Sequence, residues 1–223
     1  MIIQNKHLEK ALNDLESAYE SVPGDEHEHE DDHIALSIVE RTLADVLRTK
    51  RDLLPLLNAT DIEPLDHRLK ARVGRLFAVR AVLLHRLQQD DLAAHSTRLA
   101  CQAFRETLSF HFDDEDRYVA NHLHQLMMRD VAALGLRRDE IADSYELLFD
   151  YYADHELLDR AEDMLFHAIE LRDDPVELIE RGIEFYDSLS QRRRRFLQKR
   201  GLPLAEVNES RQELQEALQR HSS

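Results

Sequence analysis

Apolar residues recur at intervals of three and four along most of the chain, which is the spacing of amphipathic helices. The pattern is clearest in Asp139–Leu171, where a short break at His155–Glu156 separates two periodic halves. The apolar stripes are formed by Tyr145, Leu148, Phe149 and Tyr152 in the first half and by Leu158, Ala161, Leu165, Ala168 and Ile169 in the second. Because so few residues join the halves, the two helices must run antiparallel and bury their stripes against each other. The segment is therefore predicted to form a helical hairpin.

The same period predicts helices over most of the remaining chain, with breaks at proline, glycine or capping residues. The Asp66 side chain can cap the first helix of a second hairpin, Asp66–Leu108. We also expect a capping box at Asp174, followed by Pro175 and Glu177. The other predicted helices are Met1–Glu20, Ile34–Leu54, one from Phe112–Asp116 to Leu134, one from Asp174 that either ends near Leu189 or continues to Arg200, where Gly201 ends it, and one from Pro203.

Composition supports an all-α fold of about nine helices. Five glycines and five prolines leave little material for the turns of a sheet protein, whereas Ala, Leu, Glu, Arg and Gln dominate and favour helix. We expect N-terminal helices with an acidic, histidine-rich loop (22–33) in residues 1–65. Residues 66–200 should form a repeat-like helical core, and residues 201–223 a C-terminal helix that packs on it.

The hairpin Asp139–Leu171 resembles a tetratricopeptide repeat, a helix–turn–helix unit of 34 residues. The residues that match its positions are Tyr145, Leu148 and Tyr152 at large apolar positions, Ala161 and Ala168 at small positions, and Leu165 at a position that usually holds an aromatic residue. Phe149 departs from the pattern because the family prefers Gly or Ala there. The family's proline position is occupied by Asp173, and Pro175 comes two residues late.

A looser match to the same repeat covers Phe77–Phe104. Its matching residues are Leu83, Leu87, Ser96, Ala100 and Ala103. The resemblance implies antiparallel hairpins stacked as an irregular α-α superhelix.

Three runs near the C-terminus carry a second resemblance. They are Ala161-Glu162-Asp163, Gly182-Ile183-Glu184-Phe185-Tyr186 and Gly201-Leu202-Pro203-Leu204-Ala205-Glu206-Val207. These runs resemble the end of an uncharacterised family of Gram-positive bacterial proteins of helical, repeat-like construction. The resemblance implies a fold and a bacterial source, and no activity.

Charge and cysteine content narrow the classes of function. The 45 acidic and 29 basic residues give a net charge of −16, which repels phosphate backbones and anionic membranes. We therefore expect neither nucleic-acid nor membrane binding. Met1–Tyr19 is an amphipathic pattern without a continuous apolar core, so we expect no signal peptide, and no run approaches the roughly 20 apolar residues of a membrane span. The single cysteine, Cys101, fits a reducing compartment and is expected to be a buried, inert thiol. The predicted location is the cytoplasm.

The first candidate for chemistry is the acidic, histidine-rich segment 25–33. It has no apolar residue before Ile34, and its carboxylates repel one another, so a mobile surface loop is predicted. Its possible metal ligands are His27, His29, His33 and Glu30. Such a loop can bind zinc, nickel or copper weakly, but nothing in the sequence fixes the ligand geometry. A solvated loop is the first interpretation, and a metal site is the alternative.

The basic run Arg192–Arg195, with Lys199 and Arg200, is a second candidate. A solvated helix end is its first interpretation. Pairing with an acidic stretch of this chain or of a partner is the second, and nucleic-acid contact is the third. His122 and His124, two residues apart on a helix, point to different faces and cannot bind one ion.

The sequence contains no phosphate-binding glycine loop, Ser-His-Asp set, zinc-protease motif or paired-cysteine motif. We therefore predict no enzymatic activity and no cofactor. The preferred function is a non-catalytic protein that binds another protein or a peptide in the groove of a helical-repeat scaffold. Candidate groove residues are Arg75, Arg80, Asp143, Glu146 and Asp150, the outward polar residues of first-position helices.

Two other functions stay open. One is a metal-binding or metal-sensing protein that uses segment 25–33, and the other is a regulatory protein related to peptide-sensing repeat proteins. Exposed apolar positions on the terminal helices would also allow a homodimer.

Overall fold

The computed structural model describes residues 28–108, 113–128 and 136–221. Within these ranges the chain forms ten α-helices, one 3₁₀ helix and no strand, so the predicted all-α fold class is confirmed. In chain order the elements are α1 (Glu28–Val46), the 3₁₀ helix (Arg51–Leu56), α2 (Ala59–Ile62), α3 (His67–Arg86), α4 (Asp90–Leu108), α5 (Asp113–Met127), α6 (Arg138–Asp154), α7 (Leu158–Leu171), α8 (Val176–Ser190), α9 (Arg194–Lys199) and α10 (Leu204–His221). The predicted helix Met1–Glu20 and residues 22–27 lie outside the described ranges.

The helices divide into two compact units. The first unit contains α1 to α4 and the 3₁₀ helix. The second contains α6 to α10 together with α5 from Asp116 onward.

The first unit is built on the hairpin of α3 and α4, which pack together as predicted for Asp66–Leu108. The Asp66 carboxylate accepts a hydrogen bond from the Leu69 backbone N–H at 2.9 Å and caps α3, also as predicted. Helix α1 packs across α3. Phe77 is fully buried in this core, and Cys101 is 2% exposed, so the prediction of a buried thiol is confirmed.

The second unit is built on the hairpin of α6 and α7, whose bounds agree with the predicted ones to within a residue. Tyr152, Leu165 and Ala168 are fully buried, and Tyr145 is 8% exposed, so the predicted stripes form the core. Helix α8 packs against α10 and also contacts α7. This packing buries Tyr186 completely.

The prediction of a loop at 25–33 is wrong for residues 28–33, which form the first turns of α1. Carboxylates are favourable there because the N-terminal end of a helix carries partial positive charge. Asp32 is only 5% exposed, and a guanidinium nitrogen of Arg86 on α3 lies 3.6 Å from its carboxylate. The helix dipole and this partly exposed ion pair offset part of the repulsion on which the loop prediction rests.

Helix α1 ends earlier than the predicted helix Ile34–Leu54, at Val46. Arg48 has a φ of 52°, and the Thr49 N–H donates to the Ala44 carbonyl at 2.9 Å. These are the features of a Schellman C-cap, a termination that usually uses glycine in the left-handed position. The sequence gives no sign of this end because arginine occupies that position.

Two more helices end in the same way. Gln88 after α3 and Glu156 after α6 have φ values of 58° and 56°, and the residue that follows each donates back to the last turn. Gly201, with a φ of 76°, occupies the corresponding position after α9 and confirms the predicted stop. Three of these four helices therefore end at a residue that has a Cβ, and such a residue is strained in the left-handed conformation.

The predicted capping box at the start of α8 is wrong. The helix begins at Val176 with Pro175 as its N-cap residue, so Glu177 is the second helical residue instead of the third. Pro175 has a ψ of 3°, and the Asp174 carboxylate accepts from the Val176 N–H at 3.4 Å. At its other end α8 stops at Ser190, and α9 is a separate helix.

Candidate functional site

The exposed face of α6 carries a row of carboxylates at intervals of three and four residues. They are Asp139, Asp143, Glu146, Asp150 and Asp154, and together they are termed the acidic stripe. This spacing places them on one side of a helix over a length of about 22 Å. The opposite side holds the buried Leu148 and Tyr152. The side chains of Asp139 and Asp150 are 56% and 49% exposed, so the stripe displays negative charge to solvent.

Two arginines fix the middle of the acidic stripe. Arg172, which follows α7, donates from Nη2 to Asp143 and, at 2.8 Å, to Glu146. Arg181 on α8 donates to the other oxygen of Glu146 and to Asp150. Glu146 is thus shared by both guanidiniums. Charge-assisted hydrogen bonds of this kind restrict the carboxylate side chains to a defined geometry, whereas unpaired carboxylates would sample several rotamers.

The pKa values of this cluster reflect its mixed environment. Hydrogen bonding to Glu146 raises the pKa of Arg172, which stays protonated. Burial raises the pKa of Asp150, and the nearby Arg181 opposes that change. Three central carboxylates face two guanidiniums, so the cluster keeps excess negative charge.

The acidic stripe lies in the most acidic part of the chain. Residues 138–190, which span α6 to α8, contain seventeen Asp and Glu residues against four Arg and no Lys. That excess of thirteen negative charges is most of the net charge of −16. A field this concentrated attracts cationic groups and repels anionic ones.

The structure brings three of the five predicted groove residues together, namely Asp143, Glu146 and Asp150. Arg75 and Arg80 belong to α3 in the first unit. Arg80 is 1% exposed, so the prediction that it faces outward is wrong. Its guanidinium donates to Glu40 of α1 at 3.0 and 3.1 Å and to the Ser96 hydroxyl at 2.6 Å.

The cause of that error is the packing of α1 across α3, which covers the face that carries Arg80. Burial lowers the pKa of Arg80, and the charge of Glu40 opposes that shift. Glu40 also accepts from Arg51 at 2.6 Å, so its two oxygens serve two arginines. Periodicity alone does not reveal this partner, since Glu40 stands forty residues earlier in the chain.

The predicted metal ligands are only partly described. His33 is exposed on α1, and the backbone of His29 and Glu30 belongs to the first turn of the same helix. His27 lies outside the described ranges. In the part of the chain that the structure describes, no group of three or more His, Cys, Asp or Glu residues could hold a metal ion.

A polar seam that the sequence pattern did not predict joins α5 to the α6–α7 hairpin. The Tyr152 hydroxyl lies 3.1 Å from Nδ1 of His124, and Arg160 donates to Asn121 at 3.2 Å. The Arg160 guanidinium also lies over the Tyr152 ring, 5.7 Å from its centre. Burial, and then the charge of Arg160, lower the pKa of His124, so a neutral imidazole accepts the hydrogen bond that the Tyr152 hydroxyl donates.

A family model matches residues 6–219, which is nearly the whole chain, and its description is a family of unknown function, DUF6483. The chain belongs to this family. The expected membership of an uncharacterised family is therefore confirmed, and it extends well beyond the C-terminal runs. The match does not confirm the tetratricopeptide-like resemblance, which stays a prediction.

Comparisons with curated proteins and with solved structures give no match. No helix within the described ranges is long and apolar enough to cross a membrane.

Two of the runs that carry the resemblance to an uncharacterised family supply Glu162 and Tyr186 to one half-buried network in this DUF6483 member. Oε1 of Glu162 on α7 accepts from the Tyr186 hydroxyl of α8 at 2.6 Å and from the Ser210 hydroxyl of α10 at 2.9 Å. Burial raises the pKa of Glu162 and, together with the hydrogen bond to Glu162, that of Tyr186. The network therefore fastens three helices through one carboxylate oxygen.

Glycine in the same runs permits close approach of these helices. A Cβ on Gly182 would lie 2.6 Å from a methyl of Leu214 and 2.9 Å from a methyl of Leu165. Both leucines are buried and have little room to move. These runs thus shape the packing around α8 and leave the acidic stripe to other residues.

Proposed function

We propose that this DUF6483 member is a non-catalytic interaction protein that binds a basic segment of a protein partner along the acidic stripe of α6. The observation that carries the proposal is the row of five carboxylates on one exposed helix face, braced by Arg172 and Arg181. A row of this kind offers repeated acceptors to lysine or arginine side chains at helical spacing.

The arrangement suits binding because its charge is fixed before a partner arrives. The hydrogen bonds from Arg172 and Arg181 restrict the rotamers of Asp143, Glu146 and Asp150. Association then costs less side-chain entropy than it would with free carboxylates. The carboxylates supply electrostatic attraction and orientation, which set the association rate and the choice of partner.

The negative electrostatic field around the acidic stripe favours a partner segment of positive charge. With seventeen carboxylates and four arginines in residues 138–190, a cationic segment gains from long-range attraction. Exposed ion pairs contribute at most about 1 kcal/mol each, so several must form together for useful affinity. We therefore infer a partner segment with several basic residues.

The decisive experiment is affinity capture with mass spectrometry, using the natural chain and two charge-matched variants. In the stripe variant, Asp150→Asn and Asp154→Asn remove two negative charges while the amide oxygen at 150 can still accept from Arg181. In the control variant, Glu209→Gln and Glu213→Gln remove two exposed carboxylates from α10. The proposal expects a partner that the natural and control chains capture and the stripe variant loses.

A defined probe complements the capture. A synthetic basic peptide should bind the natural chain with an affinity that falls as salt rises, and roughly fivefold more weakly to the stripe variant. Equal weakening in both variants would mean that net charge alone governs binding, and the proposal would be abandoned. Substrate turnover by the purified chain would also contradict it.

A further inference from the structure

The run Arg192–Arg195 covers the turn after α8 and the first two residues of α9, and it consists of four consecutive cationic residues. All four side chains are exposed. The Arg192 guanidinium lies over the Phe196 ring at 5.7 Å. The side chains of Arg193, Arg194 and Arg195 form no hydrogen bond or ion pair within the described ranges. These three residues are termed the arginine run.

Other arginines of the same unit behave differently. Arg172, Arg181, Arg200 and Arg211 each pair with a carboxylate, and Arg160 bonds Asn121. With so many acidic residues close by in the sequence, three adjacent guanidiniums that have no carboxylate partner among the described residues are the exception. Their forked N–H groups match carboxylate oxygens in a two-point geometry.

We propose that the arginine run of one copy binds the acidic stripe of a second copy. The inference rests on the proposed function, since it names this chain itself as a source of the basic segment. One chain carries both complementary surfaces, and the arginine run forms no ion pair with any residue that the structure describes in its own copy.

The net charge of −16 on each copy opposes association at long range. At physiological ionic strength, however, interactions between exposed charges are screened beyond about 8 Å. Contacts between the arginine run and the acidic stripe act within that distance and decide the outcome. The association is therefore weak, concentration-dependent and reduced by added salt.

Two single-surface variants test the pairing. The run variant carries Arg193→Gln, Arg194→Gln and Arg195→Gln, and the stripe variant carries Asp150→Asn and Asp154→Asn. Sedimentation velocity at about 0.15 M salt should show mass rising with concentration for the natural chain and for the Glu209→Gln, Glu213→Gln control. Each single-surface variant alone should stay monomeric, with an association constant lower by roughly tenfold or more.

Mixing the two variants gives the sharpest result. The run variant keeps its acidic stripe and the stripe variant keeps its arginine run, so an equimolar mixture should form a dimer that neither variant forms alone. Circular dichroism and thermal melting of each variant confirm folding before the assay. A natural chain that stays monomeric at every concentration overturns the inference, as does a mixture that fails to pair.

The proposed function can stand or fall separately. A peptide of residues 190–201 should bind the natural chain and bind the stripe variant about fivefold more weakly. If the peptide binds in this way while the chain stays monomeric, self-association is wrong and the basic-partner function survives. If RNA binds the natural chain as a monomer and does not bind the run variant, the arginine run is a nucleic-acid-binding surface and the inference is wrong.

Discussion

Glu162 is a single residue whose carboxylate connects α7, α8 and α10. Because burial raises its pKa, the folded state holds the proton more tightly than the unfolded state does. The free energy of unfolding therefore falls as pH rises above the ordinary glutamate pKa of 4.5. At neutral pH the charge costs stability, although the hydrogen bonds that it accepts offset part of that cost.

Replacing Glu162 by glutamine separates the charge from the hydrogen bonds. The amide oxygen can still accept from Tyr186 and Ser210, so Glu162→Gln should be at least as stable as the natural chain at pH 7. Its advantage should shrink as pH falls towards 4.5, measured by urea denaturation at several pH values. Glu162→Ala, which leaves both hydroxyls without this acceptor, should lose about 1–3 kcal/mol. Equal losses in the two variants would mean that the charge itself is required.

The left-handed residue Gln88 gives a second test at the residue scale. Left-handed backbone costs a residue with a Cβ about 1 kcal/mol relative to glycine. Gln88→Gly should therefore raise the free energy of unfolding by about 0.5–1 kcal/mol in chemical denaturation. The reciprocal change Gly201→Ala should lower it by about 1 kcal/mol or more, because the added Cβ also meets Asp159 at 3.1 Å. A loss of stability in Gln88→Gly would contradict this account of the caps.

At the scale of a helix, α5 carries buried apolar residues and is joined to the α6–α7 hairpin by polar contacts. Val119 and Leu123 are buried, whereas His124 meets Tyr152 from α6. The charges that act on His124 from α7 are those of Arg160, Asp163 and His167. Protonation of His124 would place a second cation beside Arg160 in a half-buried seam.

Acidification should therefore weaken the attachment of α5. The lowered pKa means that the unfolded chain binds the proton first as pH falls below 6.5, so stability declines below that value. We expect the Tm of the natural chain to fall between pH 7.5 and pH 5.5 by more than that of His124→Gln, which can still accept from Tyr152. The same change at the exposed His33 serves as the control variant. Parallel profiles for the natural chain and His124→Gln would show that another group titrates.

For the whole molecule, the hydrophobic period predicted the fold class and both hairpins. This succeeded because Tyr152, Leu165 and Phe77 are apolar residues whose burial follows from helical spacing within one hairpin. Boundaries were less predictable where a helix ends without glycine, as at Arg48. The hydrophobic period can be read from the local sequence. Whether a residue with a Cβ adopts the left-handed conformation depends on the packing around it, which the local sequence does not show.

The candidate site was predictable only in part. Asp143, Glu146 and Asp150 share a helix face by spacing alone, so sequence placed them together. Their partner Arg181 comes from a different helix, and nothing in its own neighbourhood marks that contact. For the same reason Arg80 was expected at the surface, although Glu40 holds it in the core. A helical period predicts which residues share a face of one helix, and it does not predict ion pairs between residues that are distant in the sequence.

The buried contact between Glu40 and Arg80 also constrains how the sequence can change with time. Loss of Glu40 alone would leave the buried Arg80 guanidinium without a carboxylate, at a cost of about 3–5 kcal/mol, whereas loss of Arg80 alone would leave Glu40 paired with Arg51. Exchange of both for well-packed apolar residues can be neutral. Loss of Glu40 is therefore disfavoured while Arg80 is present, and we expect an alignment of DUF6483 sequences to show apolar residues at position 40 only where Arg80 is also replaced.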